Sequence, residues 1–324
     1  MNTLLKITAT LENAGERVDQ FLAHGLNLSR SHIQFLINSE AVQSVNNKVS
    51  ASRRVKAGEI FEVQLPQLKP SELTPQNLVL DILYADEDII VINKPAGMVV
   101  HPSPGHADNT LVNALLYHYP DMVITHEQRP GIVHRLDKET SGAMVCARNN
   151  AALENLMQSF RDRRVEKIYR AFCWGQFDKS AFDLKTGHKR HTSDRKRYTT
   201  KIKAPQDEIA ANGNRLAHSH FEVMQSKQKI SELRVQLFTG RTHQIRAQLA
   251  DIGHPLLLDQ LYGGVKNLGT LSNSALKTAI AQLTRHALHS ERLSFKHPRS
   301  GEQLSFIAPL PYDLRNLHEA FEKN

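Results

Sequence analysis

The stretch GIVHRLDKETSGAMVCARN, residues 131–149, places a polar loop between two apolar segments. The pair IV before the loop and the run AMVCA after it each predict a strand. The loop offers five side chains with functional groups: His134, Arg135, Asp137, Lys138 and Thr140. Polar loops on rigid strands are common sites of binding and catalysis. In the alternative interpretation Asp137 accepts backbone N–H bonds in an ordinary turn, and this stretch alone leaves both interpretations open.

The residues around this loop predict helices and hairpin strands without strict βαβ alternation. The run LDILYADEDIIVINKP, residues 80–95, predicts a hairpin that turns at 85–88. Asn150 is predicted to cap a helix with a buried face formed by Leu153, Leu156, Met157 and Phe160. Further predicted elements are helices at 111–117 and 242–252, the second closed by Gly253, and strands at 167–174, 232–238 and 291–296. This pattern predicts the α+β fold class, with a largely antiparallel mixed sheet flanked by helices and loops.

The first 65 residues form a separate pattern of two short helices followed by strands. An apolar stripe at Val18, Phe21 and Leu22 predicts the first helix, and Ser29 is suited to cap the second. A hairpin turn is predicted at residues 46–47. The polar, proline-bearing segment 66–76 breaks both periodicities. We therefore predict a small αβ domain at 1–65, a linker at 66–76 and a larger domain at 77–324.

Positive charge is concentrated in one part of the chain. The 324 residues carry 41 Lys or Arg against 33 Asp or Glu, a net charge of +8, which favours a polyanionic partner. The run HKRHTSDRKRYTTK, residues 188–201, combines basic side chains with hydroxyl groups and an aromatic ring. Such side chains are used for phosphate contacts and for stacking on nucleobases. We interpret it as an RNA-contacting loop, and a solvated charged loop is the alternative.

The remaining composition predicts a cytoplasmic protein, and we expect it to be a monomer. Cys146 and Cys173 lie in apolar runs and are interpreted as core residues of a reducing compartment. Neither a leader with a cleavage site nor a membrane span is predicted. The closely spaced histidines at 188, 218 and 286 lack thiolate or carboxylate companions at zinc-site spacing, so no metal site is predicted.

The loop sequence HRLDKETSG, residues 134–142, resembles the signature loop of the RluA family of pseudouridine synthases. Four further motifs are similar to those of the family and stand in its order: NKPAGMVVHP from Asn93, KIYRAF from Lys167, LFTGRTHQIR from Leu237 and RHALHSERLSFKHPRSGE from Arg285. The resemblance covers essentially the whole chain. It implies a pseudouridine-synthase fold and the isomerisation of uridine to pseudouridine in structured RNA, without a metal or organic cofactor.

The resemblance also implies roles for residues at matching positions. Asp137 matches the catalytic Asp, and Arg241 matches an Arg that would keep it ionised in a closed pocket. Tyr169 matches the Tyr that packs on the flipped base, and Arg135 matches the Arg that occupies the vacated space. His134 is expected to shape the loop beside the RNA. Whether the Asp adds to the sugar, attacks the base or removes the ribose 2′ proton stays open here.

Three runs depart from the family pattern: LLLDQLYGG, TGHKRHTSDRKRYTT and NRLAHSHFEV. In LLLDQLYGG, Leu258 stands before Asp259, where the family commonly has a glycine.

The N-terminal domain resembles the S-four RNA-binding domain in its runs SRSHIQFLIN, VNNKV and KAGEIFEV. The resemblance implies RNA contacts by basic residues of this domain: Arg30, His32, Lys48, Arg53 and Arg54. The basic loop adds a second expected group of contacts: Arg195, Lys196 and Arg197. Length and domain order are similar to family members that act on the large ribosomal subunit, so 23S rRNA is the expected partner.

Three other functions stay open at this point. The first is a non-catalytic protein that binds rRNA during ribosome assembly, and the second is a pseudouridine synthase that acts on tRNA. The third is a metal-dependent nuclease using Asp137, which would need a further carboxylate beside it.

Overall fold

The structure is a computed structural model that describes residues 3–26, 28, 30–44, 49–65, 73–103, 106–122, 130–194, 196–202 and 215–322. Several predictions fall outside these residues: the Ser29 cap, the turn at 46–47, Lys48, Arg195 and most of the linker. The side chain of His32 is likewise not described. None of the described helices is long and apolar enough to cross a membrane.

The chain divides into two compact units, with the second beginning at Leu73. The first contains β1 (Thr3–Thr8), α1 (Val18–Gly25), α2 (Arg30–Asn38), β2 (Val42–Ser44) and β3 (Ile60–Leu65). Its strands form an antiparallel sheet in the order β1-β3-β2. The predicted stripe at Val18, Phe21 and Leu22 is buried against Ile33 and Phe61, which supplies the core of this unit.

The second unit is built on one large sheet with helices around it. Its elements are β4 (Ile82–Ala85), β5 (Ile89–Lys94), α3 (Leu111–His118), β6 (Ser141–Ala147), α4 (Asn150–Arg161), β7 (Glu166–Trp174), β8 (Ala181–Arg190), β9 (Tyr198–Ile202), β10 (Arg215–Lys227), β11 (Ile230–Leu237), α5 (Gln244–Asp251), α6 (Ser274–Ala281), β12 (Leu288–Lys296), β13 (Gln303–Ile307) and α7 (Tyr312–Glu322). The strand order is β4-β5-β6-β12-β7-β11-β10-β8-β9, with β13 paired to β12. Among the described strands of this sheet, only β6 and β12 pair in parallel. The predicted α+β class with a largely antiparallel mixed sheet is confirmed.

Helix α4 differs from its prediction in two details. Asn149, rather than Asn150, is the N-cap, and its side chain accepts a hydrogen bond from the Ala152 amide. Leu153 and Leu156 are buried as predicted, but Met157 is 44% exposed. The apolar stripe of α4 is therefore narrower than its spacing suggested.

The basic segment 188–201 is not one long loop as predicted. Strand β8 extends to Arg190 and β9 begins at Tyr198, so of the described residues of this segment only 191–194, 196 and 197 lie outside the strands. The two strands pair antiparallel at the edge of the large sheet. Strands β8 and β9 therefore form a hairpin, and Tyr198, Thr199 and Thr200 lie on its second strand. We call residues 181–202 the basic hairpin.

The parallel pairing of β6 with β12 determines where the signature loop ends. Ser141 and Gly142 lie opposite His289 and Ser290. Gly142 has φ +116, and a Cβ at this position would lie 2.2 Å from the carbonyl oxygen of Ser290. Because no other residue fits there without displacing a strand, this glycine lets β12 lie close to the loop that carries Asp137.

Candidate active site

Asp137 lies in a pocket between the signature loop, β7 and α5, at a position where its side chain is 18% exposed. Its Oδ2 accepts a hydrogen bond from Arg246 Nη1 at 2.9 Å and lies 3.7 Å from His243 Nε2. Burial raises the pKa of Asp137, but the imidazole of His243 and the hydrogen-bonded guanidinium of Arg246 outweigh this effect and hold the pKa below its ordinary value. The carboxyl group is therefore ionised at neutral pH although it is enclosed.

Arg246 connects Asp137 to a second carboxylate. Its Nε and Nη2 bind the two oxygens of Asp259 at 2.7 and 3.0 Å, while its Nη1 binds Asp137. This bidentate pair fixes the plane of the guanidinium and therefore the direction in which it meets Asp137. Arg246 is 7% exposed, so its contacts are with protein rather than solvent.

The prediction that Arg241 pairs with Asp137 is wrong. Arg241 lies before α5, and its Nε donates to the carbonyl of Leu216 at 3.1 Å. Helix α5 begins at Gln244, which puts Arg246 in its first turn, against the loop. One signal in the sequence could have identified Arg246: it is a second Arg in the same motif, between the apolar residues Ile245 and Ala247, and a buried Arg needs carboxylate partners.

Tyr169 forms one wall of the same pocket, as the sequence predicted. It is 7% exposed on β7, opposite Ser290 of β12 and Val235 of β11. Burial raises its pKa to about 12, so its hydroxyl is neutral. Leu237 and Leu288 also line the pocket, which gives the ring an apolar surrounding suited to a flat base.

Arg135 and His134, which precede Asp137 in the motif, have different surroundings. Arg135 is exposed at the pocket, where a cation could meet RNA. His134 accepts a hydrogen bond from the Val145 amide at 3.1 Å and stacks on Phe160, with ring centroids 4.6 Å apart. Burial lowers its pKa to about 3, so it offers RNA no charge, and it shapes the loop instead.

Buried polar groups from distant motifs hold the loop after Asp137. Lys94 donates to the carbonyl of Lys138 at 3.2 Å, and Arg285 donates to that of Glu139 at 3.1 Å. Thr140 is hydrogen-bonded to His286 at 2.9 Å. The sequence placed Lys94, Arg285 and His286 in recognisable motifs without indicating that they meet on one loop.

The departure at Leu258 coincides with an unusual backbone conformation. Leu258 has φ +58, in the left-handed region that favours glycine. It directly precedes Asp259, the bidentate partner of Arg246. The chain therefore adopts the glycine-type turn there despite the side chain, at a cost of about 1–2 kcal/mol.

Several predicted RNA contacts have partners within the protein. Arg30 pairs with Asp19 at 2.8 Å, and Arg53 pairs with Glu59. Lys196 is exposed on the turn of the basic hairpin, and the guanidinium of Arg197 lies 5.3 Å from the ring centre of Tyr262.

One group of possible metal ligands occurs in the described part of the chain: Asp86, Asp88 and His297. Asp86 already accepts from Tyr84 and from His297, and Asp88 from Arg299. These contacts account for the cluster as a hydrogen-bonded corner between β4 and β12. It lies outside the pocket of Asp137.

Comparisons with known proteins agree on one family. The family model described as RNA pseudouridylate synthase matches residues 88–251. An RNA pseudouridine synthase of Aquifex aeolicus is 38% identical over 97% of this chain and 96% of its own length. The ribosomal large subunit pseudouridine synthase D of Haemophilus ducreyi is 38% identical over 99% of this chain and 95% of its own.

A solved structure supports the fold. The human RNA pseudouridylate synthase domain containing 4 protein aligns with a TM-score of 0.57 and 24% identity, covering 75% of this chain and 93% of that one. Because the family model matches half of the chain and the relatives are similar along nearly all of it, this chain belongs to the RNA pseudouridine synthases.

Proposed function

We propose that this enzyme isomerises uridines of 23S ribosomal RNA, with Asp137 as the residue that acts on a flipped nucleotide. The observation that carries the proposal is the enclosed carboxylate of Asp137, kept ionised by Arg246 beside the buried wall of Tyr169. Relatives named as ribosomal large subunit pseudouridine synthases, at 36–38% identity, support the choice of RNA.

The reaction breaks the bond from uracil N1 to the ribose anomeric carbon and joins that carbon to uracil C5. The C5 hydrogen is lost and N1 gains a proton, so the product has the same composition as the substrate. A carboxylate and a shaped pocket are sufficient for this exchange, and no redox partner is required. The contacts of Asp137 with Arg246 and His243 both involve Oδ2, so we assign Oδ1 to the chemistry at the ribose or base.

A uridine stacked in RNA has to leave its stack before it can reach this carboxylate. The apolar ring of Tyr169 would replace part of the lost stacking. Arg135, exposed beside the pocket, is suited to enter the space that the base vacates. Because the hydroxyl of Tyr169 stays protonated, proton removal from C5 by this group would require a strongly perturbed bound state.

Arg241 has a different role in this proposal than the sequence suggested. It lines the pocket near three other cations: Arg163, Lys167 and Arg215. In the described part of the chain none of the four forms an ion pair, and Lys167 is only 8% exposed. A buried ammonium group without an anion is costly, so we assign this cluster to a phosphate of the RNA backbone.

The first 65 residues complete the proposal as an RNA-binding domain of the S-four type, joined by residues 66–76 to a catalytic domain at 77–324. The N-terminal unit has its own core and sheet, which supports an independent domain. Arg30 and Arg53 are already ion-paired within the protein. RNA contact by this domain would therefore involve neighbouring exposed basic side chains as well as these two.

The test is Asp137→Asn, which keeps the size and the hydrogen-bonding capacity of the side chain but removes its charge. We expect no pseudouridine to form, while affinity for RNA stays nearly unchanged because phosphate contacts come from other residues. Asp162→Asn, on the exposed end of α4, is the matched control. Product in the Asp137→Asn reaction would exclude Asp137 as the catalytic residue.

The target is identified by carbodiimide labelling and reverse transcription on RNA from cells with and without the gene. A stop lost only in 23S rRNA supports the proposal. A stop lost in tRNA would assign the enzyme to tRNA instead, and unchanged RNA would contradict both targets.

A further inference from the structure

His243 is a second side chain that faces the carboxylate of Asp137. Its Nε2 lies 3.7 Å from Asp137 Oδ2, slightly beyond hydrogen-bond distance. It precedes α5 with φ +56, a left-handed conformation that residues other than glycine seldom adopt. Such backbone conformations are concentrated at functional sites, where the surrounding structure maintains them.

The other ring nitrogen of His243 meets a tyrosine hydroxyl. Nδ1 lies 3.1 Å from Tyr262 Oη, and the same oxygen accepts the backbone N–H of Tyr198 at 2.9 Å. Burial raises the pKa of Tyr262 to about 12, so the hydroxyl keeps its proton. In the described chain, His243 Nδ1 is the acceptor within reach of this proton, and a buried hydroxyl without an acceptor would be costly.

These contacts determine the tautomer of His243. If Tyr262 donates to Nδ1, the proton of the neutral ring is on Nε2. Burial lowers the pKa of His243, which favours the neutral ring. The Nε2–H dipole then points at Asp137 Oδ2, on the same oxygen that Arg246 binds.

The ring of Tyr262 also contacts two arginines, Arg246 and Arg197. It lies beneath Arg246, 5.1 Å from the guanidinium carbon, and beneath Arg197, at 5.3 Å. Tyr198 is the first residue of β9 and packs edge-on against His243 with centroids 5.7 Å apart. The end of the basic hairpin is therefore in direct contact with the groups that surround Asp137.

We propose that His243 and Tyr262 are positioning residues for Asp137. The Tyr262 hydroxyl holds the imidazole in the tautomer that directs Nε2–H at the carboxylate, and the Tyr198 amide ties this arrangement to the basic hairpin. The carboxylate is thereby held through one oxygen and presents the other to the nucleotide. This inference rests on the assignment of Asp137 in the proposed function.

The first experiment compares turnover with substrate binding. RNA labelled with [5-³H]uridine, transcribed in cells that lack the gene, releases tritium when the C5 hydrogen is lost. We expect Tyr262→Phe to lower kcat about five- to tenfold, the effect of one neutral hydrogen bond, with KM unchanged. Tyr117→Phe, on the exposed face of α3, is the control and should leave both constants unchanged.

Two substitutions of His243 separate positioning from packing. His243→Gln retains an N–H group near the place of Nε2, whereas His243→Leu retains only volume. Both have the same backbone cost at φ +56, so their stabilities should be similar. We expect the kcat of His243→Gln to be closer to that of the wild type, and equal loss in both variants would overturn the proposal.

Nitrogen NMR on ¹⁵N-histidine protein provides a readout that packing alone would not change. The His243 signals, identified by their absence in His243→Gln, should show a proton on Nε2 in the wild type. Tyr262→Phe should give a mixture of tautomers. A wild-type proton on Nδ1, or an unchanged kcat in Tyr262→Phe, would overturn the proposal.

Asp137→Asn and Tyr262→Phe test the catalytic assignment of Asp137 and the positioning role of Tyr262 separately. If Asp137→Asn still releases tritium, the assignment of Asp137 is wrong and the positioning proposal falls with it. If Asp137→Asn is inactive while Tyr262→Phe has raised KM and normal kcat, Tyr262 serves RNA binding, and only the positioning proposal is overturned.

Discussion

Asp137 illustrates how one residue is kept reactive by two opposing effects. Enclosure raises its pKa, whereas Arg246 and His243 lower it, and the lowering effect is larger. Each pKa unit corresponds to about 1.4 kcal/mol between the two protonation states. Since Arg246 also binds Asp259 through two hydrogen bonds, its guanidinium cannot turn away from Asp137 without breaking a buried pair.

The charge of Arg246 should determine the acid limb of the pH–activity profile. Activity requires the carboxylate, so it is lost as the pH falls through the pKa of Asp137. In Arg246→Gln the positive charge is gone and mainly His243 still opposes the effect of burial, so that pKa rises and the acid limb moves to higher pH. Initial rates of tritium release across the acid range measure this shift.

Arg246→Lys separates charge from geometry in this experiment. It retains the positive charge but not the bidentate contact with Asp259, so we expect reduced activity with a smaller shift of the acid limb. Arg299→Gln, 62% exposed and outside the pocket, should leave the profile unchanged. An Arg246→Gln profile that coincides with the wild type would contradict this account.

The signature loop and its neighbouring strands act as a unit at the scale of elements. Lys94 of β5 and Arg285, which precedes β12, hold successive carbonyls after Asp137, and Thr140 binds His286. The parallel pairing of β6 with β12 begins at Ser141. The position of Asp137 therefore depends on how closely these strands approach.

Gly142→Ala should destabilise this unit more than an ordinary glycine substitution. Gly142 and Gly301 both have positive φ, so an alanine at either costs about 1–2 kcal/mol of backbone strain. Only at Gly142 would the new methyl group meet another strand, adding about 1–3 kcal/mol from overpacking.

Urea unfolding of both variants measures the difference in the free energy of unfolding. Gly301→Ala is the control, because its Cβ meets nothing within 4 Å. Equal free energies of unfolding for the two variants would show that β12 can move away at no cost.

Charge defines the function at the scale of the whole molecule. Residues 160–203 carry a large share of the excess of Lys and Arg. The cations near the pocket come from separate parts of the fold: Arg163 after α4, Lys167 on β7, Arg215 on β10 and Arg241 before α5. Tertiary structure thus assembles a cationic surface beside the pocket from separate segments.

Removing one of these cations should lower the salt dependence of RNA binding. For single-stranded RNA, each lost phosphate contact reduces the slope of log affinity against log salt by about 0.7. We expect this reduction for Arg241→Gln and for Lys167→Met, measured by fluorescence anisotropy with a uridine-rich RNA at several KCl concentrations. Lys296→Gln, exposed on β12, is the control. Unchanged slopes in both variants would contradict the proposal that this cluster binds a phosphate of the RNA.

The sequence by itself determined the family, the α+β class, and the positions of Asp137 and Tyr169. These follow from contiguous motifs, in which the spacing of apolar and functional residues is preserved along the chain. It also predicted α4 and α5 closely, because their hydrophobic periodicity and end signals are local.

Only the tertiary structure decided which groups meet Asp137. Arg246 is 109 residues away in sequence, and its choice over Arg241 depends on where α5 begins relative to the loop. Likewise, nothing local connects His243, Tyr262 and the Tyr198 amide, which come together where β9 packs beside α5. Ion pairs and hydrogen bonds depend on distances of a few ångströms between separate elements, and those distances are set by packing rather than by sequence spacing.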